Sequence, residues 1–374
     1  MHYIWQHIAF IIETYTGEIP LAPFLKNYFK QHSKLGSRDR RLLSAMAYSW
    51  YRCSKSLPAK LDLEQKVILC LSLCNQEVPG IFAERLQAVK EDIQPVLDNL
   101  ISDKITFSGG IEKEEWLNSL LAQPQLFIRI RKDNGKVISL LNNQSVPIKF
   151  ITDTCLSLPN GCKVDSILPE DTYVVQDASS QATGEWFQPK KNDQWYDCCC
   201  GAGGKSILLK DLQPGLRLTV TDARDSIIRN LQQRFKTYRM VMPVVHVVDV
   251  TNPGLLMKAI GAKQFDNIIC DAPCSGSGTW ARTPEQNYYF KASAIEQFAS
   301  RQKAIAINVS RHVKPGGYLF YITCSVFRAE NEAVVEEVVK ATGMVLVNSE
   351  LINGIGIKAD SMFIAKLQRP ELVN

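Results

Sequence analysis

The stretch Asp197-Cys198-Cys199-Cys200-Gly201-Ala202-Gly203-Gly204-Lys205 decides how this chain is read. A strand-like run over 195–199 enters it and a helical pattern over 205–212 leaves it. Glycines at 201, 203 and 204 let the backbone turn tightly and approach a ligand, and the N–H groups that open the next helix are offered to a carboxylate or phosphate. Spacing excludes two other glycine motifs. A dinucleotide fingerprint counted from Gly201 needs glycine where Ser206 stands, and a phosphate-binding loop counted back from Gly204-Lys205-Ser206 needs glycine where Cys199 stands.

Downstream, strand-like runs at 216–221, 244–248, 267–271 and 318–323 alternate with helical patterns at 224–237, 292–313 and 329–341. That alternation, with short connections, predicts a mostly parallel sheet with helices on both faces. A last β-type run at 361–367 is expected to add an edge strand. Asp222, Asp249 and Asp271 follow the ends of three successive strands, the edge that lines the ligand crevice of such sheets. Asp222 comes 25 residues after Asp197, near where a ribose-binding acid is expected, so the loop and the acids together point to an adenosine-bearing cofactor.

Two cysteines sit just past strand ends, in Asp271-Ala272-Pro273-Cys274-Ser275-Gly276 and in Thr323-Cys324-Ser325. Both are expected at the cofactor crevice. No C-x-x-C pair occurs among them and His246 and His312 have no ligand spacing, so no metal is expected. A thiol, a carboxylate and a methyl-bearing adenosine cofactor together suit alkylation at C5 of a pyrimidine. Thiolate addition at C6 turns the ring into an enamine-like nucleophile, and an acid sharing the N3 proton offsets the charge that develops. Release then requires a base for the C5 proton and departure of the thiol. The residue pattern leaves open which cysteine attacks.

These motifs resemble the RNA cytosine-C5 methyltransferases of the Sun/Fmu (RsmB-like) family, whose cofactor loop reads D-x-C-A-A-P-G-G-K. Cys200, Gly201 and Ala202 stand here for A-A-P. Gln176-Asp177-Ala178-Ser179-Ser180-Gln181 resembles the family's Q-D-x-x-S-Q segment, and Glu330-Asn331-Glu332 its E-N-E. The resemblance covers about residues 125–370. It implies a Rossmann-like S-adenosylmethionine-dependent methyltransferase fold. It further implies that Cys199, Cys200, Gly201, Ala202, Gly203, Gly204 and Lys205 hold S-adenosylmethionine, with Asp222 on the ribose and Asp249 near the adenine. Asp271 would serve both cofactor and target base, Cys324 would be the nucleophile and Cys274 would promote release. Arg282 and Pro284 resemble part of a loop over the target nucleotide.

The rest of the chain fits around this core. The 374 residues are 45% hydrophobic and 22% charged, which excludes a disordered or collagen-like protein. Residues 1–60 hold nine Lys/Arg against three Asp/Glu, a charge of +6, and the remaining 314 sum to −1. Residues 3–100 show helical spacing, as in Ile4, Ile8, Ile11 and Ile12 and in Leu42, Leu43, Met46 and Trp50. A four- or five-helix bundle is expected, with Ser37 capping a helix whose first turn carries Arg38, Arg40 and Arg41. Arginines there oppose the helix dipole unless they face an anion such as an RNA phosphate, although a solvated face is the alternative.

This region resembles the NusB-like RNA-binding domain of family members that act on small-subunit ribosomal RNA. The expected division is a helical domain at 1–110, a small α+β module at 125–185 and the catalytic domain at 186–374. Eleven cysteines, three of them consecutive, with no basic leader and an apolar run ended by Glu13, suggest a reduced, cytoplasmic protein off the membrane. A monomer acting on small-subunit ribosomal RNA is expected. Transfer RNA or large-subunit RNA, a non-catalytic assembly factor and a small-molecule methyltransferase are the other readings.

Overall fold

Apolar side chains at Ile4, Ile8 and Ile11, and at Leu43, Met46 and Trp50, return to one helix face every three or four residues and meet in one buried cluster. In the computed structural model, which describes residues 2–90 and 93–371, they lie on α1 (His2–Thr14) and α3 (Ser37–Cys53). With α2 (Leu21–Gln31), α4 (Leu63–Leu73), α5 (Ala83–Lys90) and α6 (Lys113–Leu120) they build an all-α unit. It comprises Met1–Ile105, Glu112–Gln123 and Thr279–Ala292.

The third of these segments, assigned from sequence to a catalytic domain over 186–374, is a correction with a clear cause. It carries α12 (Pro284–Tyr289) and is held by buried groups. Trp280 packs on Trp116 and Phe290, with ring centroids 5.7 and 4.7 Å away. Glu285 accepts the backbone N–H of Leu21. Arg52 is only 3% exposed and donates to the carbonyls of Leu120, Ala122 and Ala281 and to Gln123 Oε1. Arg52 therefore does not belong to the surface charge counted from sequence. Arg40 is also occupied, bonding the carbonyls of Ser33 and Leu35, whereas Arg38 and Arg41 are exposed. The α3 cap differs too, because the helix already starts at Ser37 and Gly36 takes the cap position.

The second unit, Thr106–Ile111, Pro124–Gly278 and Ser293–Asn374, holds both sheets. The smaller contains β1 (Leu126–Ile130), β2 (Lys149–Phe150), β3 (Cys155–Leu158) and β4 (Tyr173–Val175), antiparallel in the order β2-β3-β1-β4. α7 (Asn134–Asn143) covers it through Val137 and Leu141. Arg129 on β1 and Arg131 just past its end both pair with Asp211. α8 (Ala178–Ala182) then leads to the larger sheet.

That sheet is built from β5 (Gln194–Asp197), β6 (Arg217–Asp222), β7 (Val244–Val247), β8 (Phe265–Asp271), β9 (Val313–Thr323), β10 (Val345–Ile352) and β11 (Met362–Gln368), in the order β10-β11-β9-β8-β5-β6-β7. The five strands from β7 to β9 run parallel, and β11 and β10 join antiparallel. The intervening helices are α9 (Gly204–Leu212), α10 (Asp225–Thr237), α11 (Pro253–Ile260), α13 (Ala294–Ser310) and α14 (Glu332–Thr342). Trp195 and Phe320 stack in its core beside Ile207, Leu231 and Ile269. Each such fully buried side chain contributes about 1.5–3 kcal/mol. This is a Rossmann-like methyltransferase fold, preceded by an all-α unit and a small α+β module.

Two features depart from the sequence reading. The last run is interior, because β10 pairs outside it. β10 was hidden by Asn348-Ser349-Glu350 in its middle and by a bulge after Leu346, which break the alternation of a strand. α11 was hidden because Leu256 is its one buried residue while Leu255 and Met257 face solvent, so no apolar stripe marks it.

Candidate active site

The chain order reverses at β5, whose neighbours are β6 on one side and β8 on the other, and ligands of such sheets bind beyond the strand ends at that point. The loop after β5 is tied to both neighbours. Cys198 N–H donates to the Ile269 carbonyl, and Cys200 N–H donates to the Thr221 carbonyl. The Thr221 hydroxyl returns a bond to the Cys198 carbonyl at 2.8 Å. Gly203, at φ +86°, adopts the left-handed conformation just before α9, and a Cβ there would also press to 3.1 Å from Leu231.

Beyond this loop lies a cleft of about 400 Å³. Five of the ten residues expected to bind a cofactor line it: Cys199, Gly201, Asp222, Asp249 and Asp271. Cys200, Ala202, Gly203, Gly204 and Lys205 form the turn behind it instead. The sequence reading missed Arg224, Val248, Val250, Pro273, Arg301 and Ile305, which also line the cleft. The first three flank the strand-end acids and could have been found by extending those motifs. Arg301 and Ile305 come from α13, whose approach no local pattern encodes.

Each carboxylate has a distinct setting. Burial would raise the Asp222 carboxyl, but the Arg224 guanidinium and backbone N–H, with the Gly201 N–H at 3.2 Å, hold it below the usual range. Asp249 accepts from the N–H and hydroxyl of Thr251, which shapes the turn after β7. Asp271 receives the Lys205 ammonium at 2.9 Å. Asp197, fully buried at the end of β5, accepts from Ser206 Oγ at 2.6 Å, and loss of solvent pushes its carboxyl up to about 7.

The two strand-end cysteines meet. Cys274 Sγ lies 3.3 Å from Cys324 Sγ, and Gly278 N–H anchors the Cys324 carbonyl at 2.9 Å. The hydrogen bond to Cys324, followed by burial, pushes the Cys274 thiol well up, and either sulfur can donate in the contact between them. All eleven cysteines are free thiols. Among the described residues no cluster of His, Cys, Asp or Glu suits a metal ion, and no helix is long and apolar enough to cross a membrane.

Residues 185–368 match the family model described as 16S rRNA methyltransferase RsmB/F. This segment, just under half of the chain, is similar to the RsmB/F family. A curated relative, ribosomal RNA small subunit methyltransferase B of Shewanella oneidensis, is 31% identical over 176 residues, which are 47% of this chain and 40% of that protein. The matches span about two-fifths to half the length of such relatives. Among solved structures, PH0851 is similar with a TM-score of 0.70 at 19% identity, covering 92% of this chain and 93% of its own. A methyltransferase homolog protein from Pyrococcus horikoshii has a TM-score of 0.60 at 17% identity, covering 83% of this chain and 100% of its own.

Two of the motifs quoted from the sequence hold the fold around the site. In the Q-D-x-x-S-Q segment, Asp177 caps α8 and accepts the Asp360 N–H, while Ser179 Oγ donates to the Asp360 carbonyl, so the segment anchors the turn before β11. In the E-N-E segment, Asn331 accepts from Thr323 Oγ1 and donates to the Ser325 carbonyl, bracketing Cys324. Arg282 and Pro284 lie in the all-α unit, with Pro284 buried at the start of α12.

Proposed function

We propose that this chain methylates C5 of cytosine in RNA with S-adenosylmethionine, and that its substrate is small-subunit ribosomal RNA. The observation that carries the reading is the 3.3 Å approach of Cys274 and Cys324 at the ends of β8 and β9, beside Asp271.

The donor set suits the cofactor. Asp222 and Asp249 can accept from ribose hydroxyls and an adenine amine, while Val248, Val250, Pro273 and Ile305 offer apolar surface to the flat base. Asp271 can face a positively charged methionine end. S-adenosylmethionine, when bound, supplies an electrophilic methyl group.

Cys324 Sγ is the group to add at C6, the role that the resemblance gives to the cysteine of Thr323-Cys324-Ser325. A proton taken up from solvent when the base binds, and shared between the Asp271 carboxylate and N3, offsets charge on the ring, and Lys205 fixes that carboxylate. After methylation the C5 proton must leave and the C6–S bond must break, its electron pair returning to Cys324 Sγ. Cys274 lies next to the bond that breaks. Exposed Arg38 and Arg41, at the start of α3, are assigned to RNA phosphates. The reading implies a cytoplasmic monomer.

The test is transfer of labelled methyl groups from S-adenosylmethionine to undermodified ribosomal RNA, with bisulfite mapping of the product. Label at C5 of small-subunit cytosines, lost in Cys324→Ala, is expected. Label at another ring position, or full activity in Cys324→Ala, would overturn the chemistry, and C5 label on transfer RNA or large-subunit RNA alone would overturn the substrate.

A further inference from the structure

We propose that Glu330 is a positioning residue that sets the two cysteines against each other by binding the residue that follows each of them. The inference rests on the methyltransferase reading for its purpose, and on geometry for its content.

Glu330 is fully buried. Its Oε1 accepts the Ser275 N–H at 2.8 Å and Gln302 Nε2 at 3.0 Å. Its Oε2 accepts Ser325 Oγ at 2.6 Å and also the Ser275 hydroxyl. Ser275 follows Cys274 directly, and Ser325 follows Cys324. One carboxylate thus ties together loops from β8 and β9 that are 50 residues apart in the chain. Ser277 Oγ closes the network, 3.2 Å from Ser275 Oγ and 3.1 Å from Ser325 Oγ. Glu330 is itself held, because its N–H donates to the Phe327 carbonyl and its carbonyl accepts the Tyr321 hydroxyl at 2.6 Å.

A buried carboxylate is costly, and no Lys, Arg or His pairs with this one among the described ion pairs. Cohesion alone would be served as well by an apolar side chain packed between the loops. What the carboxylate adds is direction, since its lone pairs fix each donor and therefore each adjacent Cα–Cβ bond. It also adds charge. Besides Cys324, the titratable groups facing Cys274 are Glu330 and the buried Tyr321 hydroxyl, and the Glu330 charge works with the Cys324 hydrogen bond to keep Cys274 protonated. The clamp thus disfavours a thiolate at Cys274.

The test reads the thiols in the full chain without RNA or cofactor. Iodoacetamide labelling of Cys274 and Cys324 across pH, resolved by peptide mass spectrometry, is compared with the yield of Cys274–Cys324 disulfide in glutathione buffers. Glu330→Gln is expected to lower the labelling midpoint of Cys274 by about one pH unit and to reduce disulfide yield by about tenfold. Ser325→Ala, which keeps the charge, is expected to reduce disulfide yield without moving the midpoint, and it serves if Glu330→Gln does not fold. Unchanged midpoint and yield in folded Glu330→Gln, or unchanged yield in Ser325→Ala, would overturn the proposal. If these shifts occur but the wild-type chain methylates no RNA, the functional reading fails and the clamp stands. With active enzyme, Glu330→Gln should lower kcat about tenfold and leave KM for RNA unchanged.

Discussion

Lys205 Nζ lies 2.9 Å from Asp271 Oδ2, joining the first turn of α9 to the end of β8. Lys205 is nearly buried while Asp271 is partly open to the cleft, so the pair presents a fixed carboxylate rather than a mobile one. Lys205→Met should leave that carboxylate undirected. The expected outcome is a stability loss of about 1–3 kcal/mol in urea unfolding, smaller than for a fully buried pair because Asp271 is solvated, and a larger loss in methyl transfer. Unaltered transfer in Lys205→Met would remove Lys205 from the site.

Cys274 and Cys324 should differ in what their removal leaves behind. Cys274→Ala is expected to retain addition at C6 and to accumulate an RNA-bound species that survives denaturing electrophoresis. Cys324→Ala and the double variant should give none. A trapped species in Cys324→Ala would exchange the two roles.

Asp197 makes a pH-dependent contribution whose sign follows from its setting. Its carboxyl is raised to about 7 in the fold against 3.8 for the ordinary side chain, so between these values the native state binds a proton that the unfolded state lacks. The stabilisation is complete below about pH 4 and is lost as pH rises to about 7. Asp197→Asn does not titrate and can keep the Ser206 bond. Its stability relative to the parent should therefore climb across that window, by a few kcal/mol at most. Parallel melting-temperature profiles from pH 4 to 8 would contradict this.

The arginines of α3 should separate into two classes. Arg38→Ala and Arg41→Ala are expected to weaken RNA binding and to reduce the slope of log K against log salt by about one each, with little change in stability. Arg52→Ala should instead destabilise the chain by roughly 3 kcal/mol, because it strips a buried donor from three carbonyls on two segments. Filter binding across salt, paired with thermal unfolding, distinguishes them. A normal salt slope in the Arg38 and Arg41 variants would return those residues to a solvated face.

β5, β6, β8 and β9 were legible because a largely buried strand is a short apolar run that must end in a turn, and an acid or a cysteine stands at each of those ends, whereas β7, half exposed at the sheet edge, was marked by its run of valines. Asp222, Asp249, Asp271, Cys274 and Cys324 could be assigned to one edge for that reason. At α11 and β10 the signal failed. α11 hides one leucine, and β10 carries three exposed apolar residues followed by polar ones, so neither presents a period.

Local pattern also could not tell a surface arginine from a buried one. Arg38 and Arg52 look alike in a basic segment, yet one is exposed and the other is enclosed by carbonyls from residues 120, 122 and 281. By itself the sequence determined which residues stand at the strand ends, since hydrophobic period and turn chemistry act over a few residues. Only the tertiary structure decided that Cys274 meets Cys324, that Lys205 directs Asp271 and that Glu330 reaches both cysteine loops. Those pairings depend on strand order and helix approach, and both arise from burying the whole apolar surface at once, which no short window of residues contains.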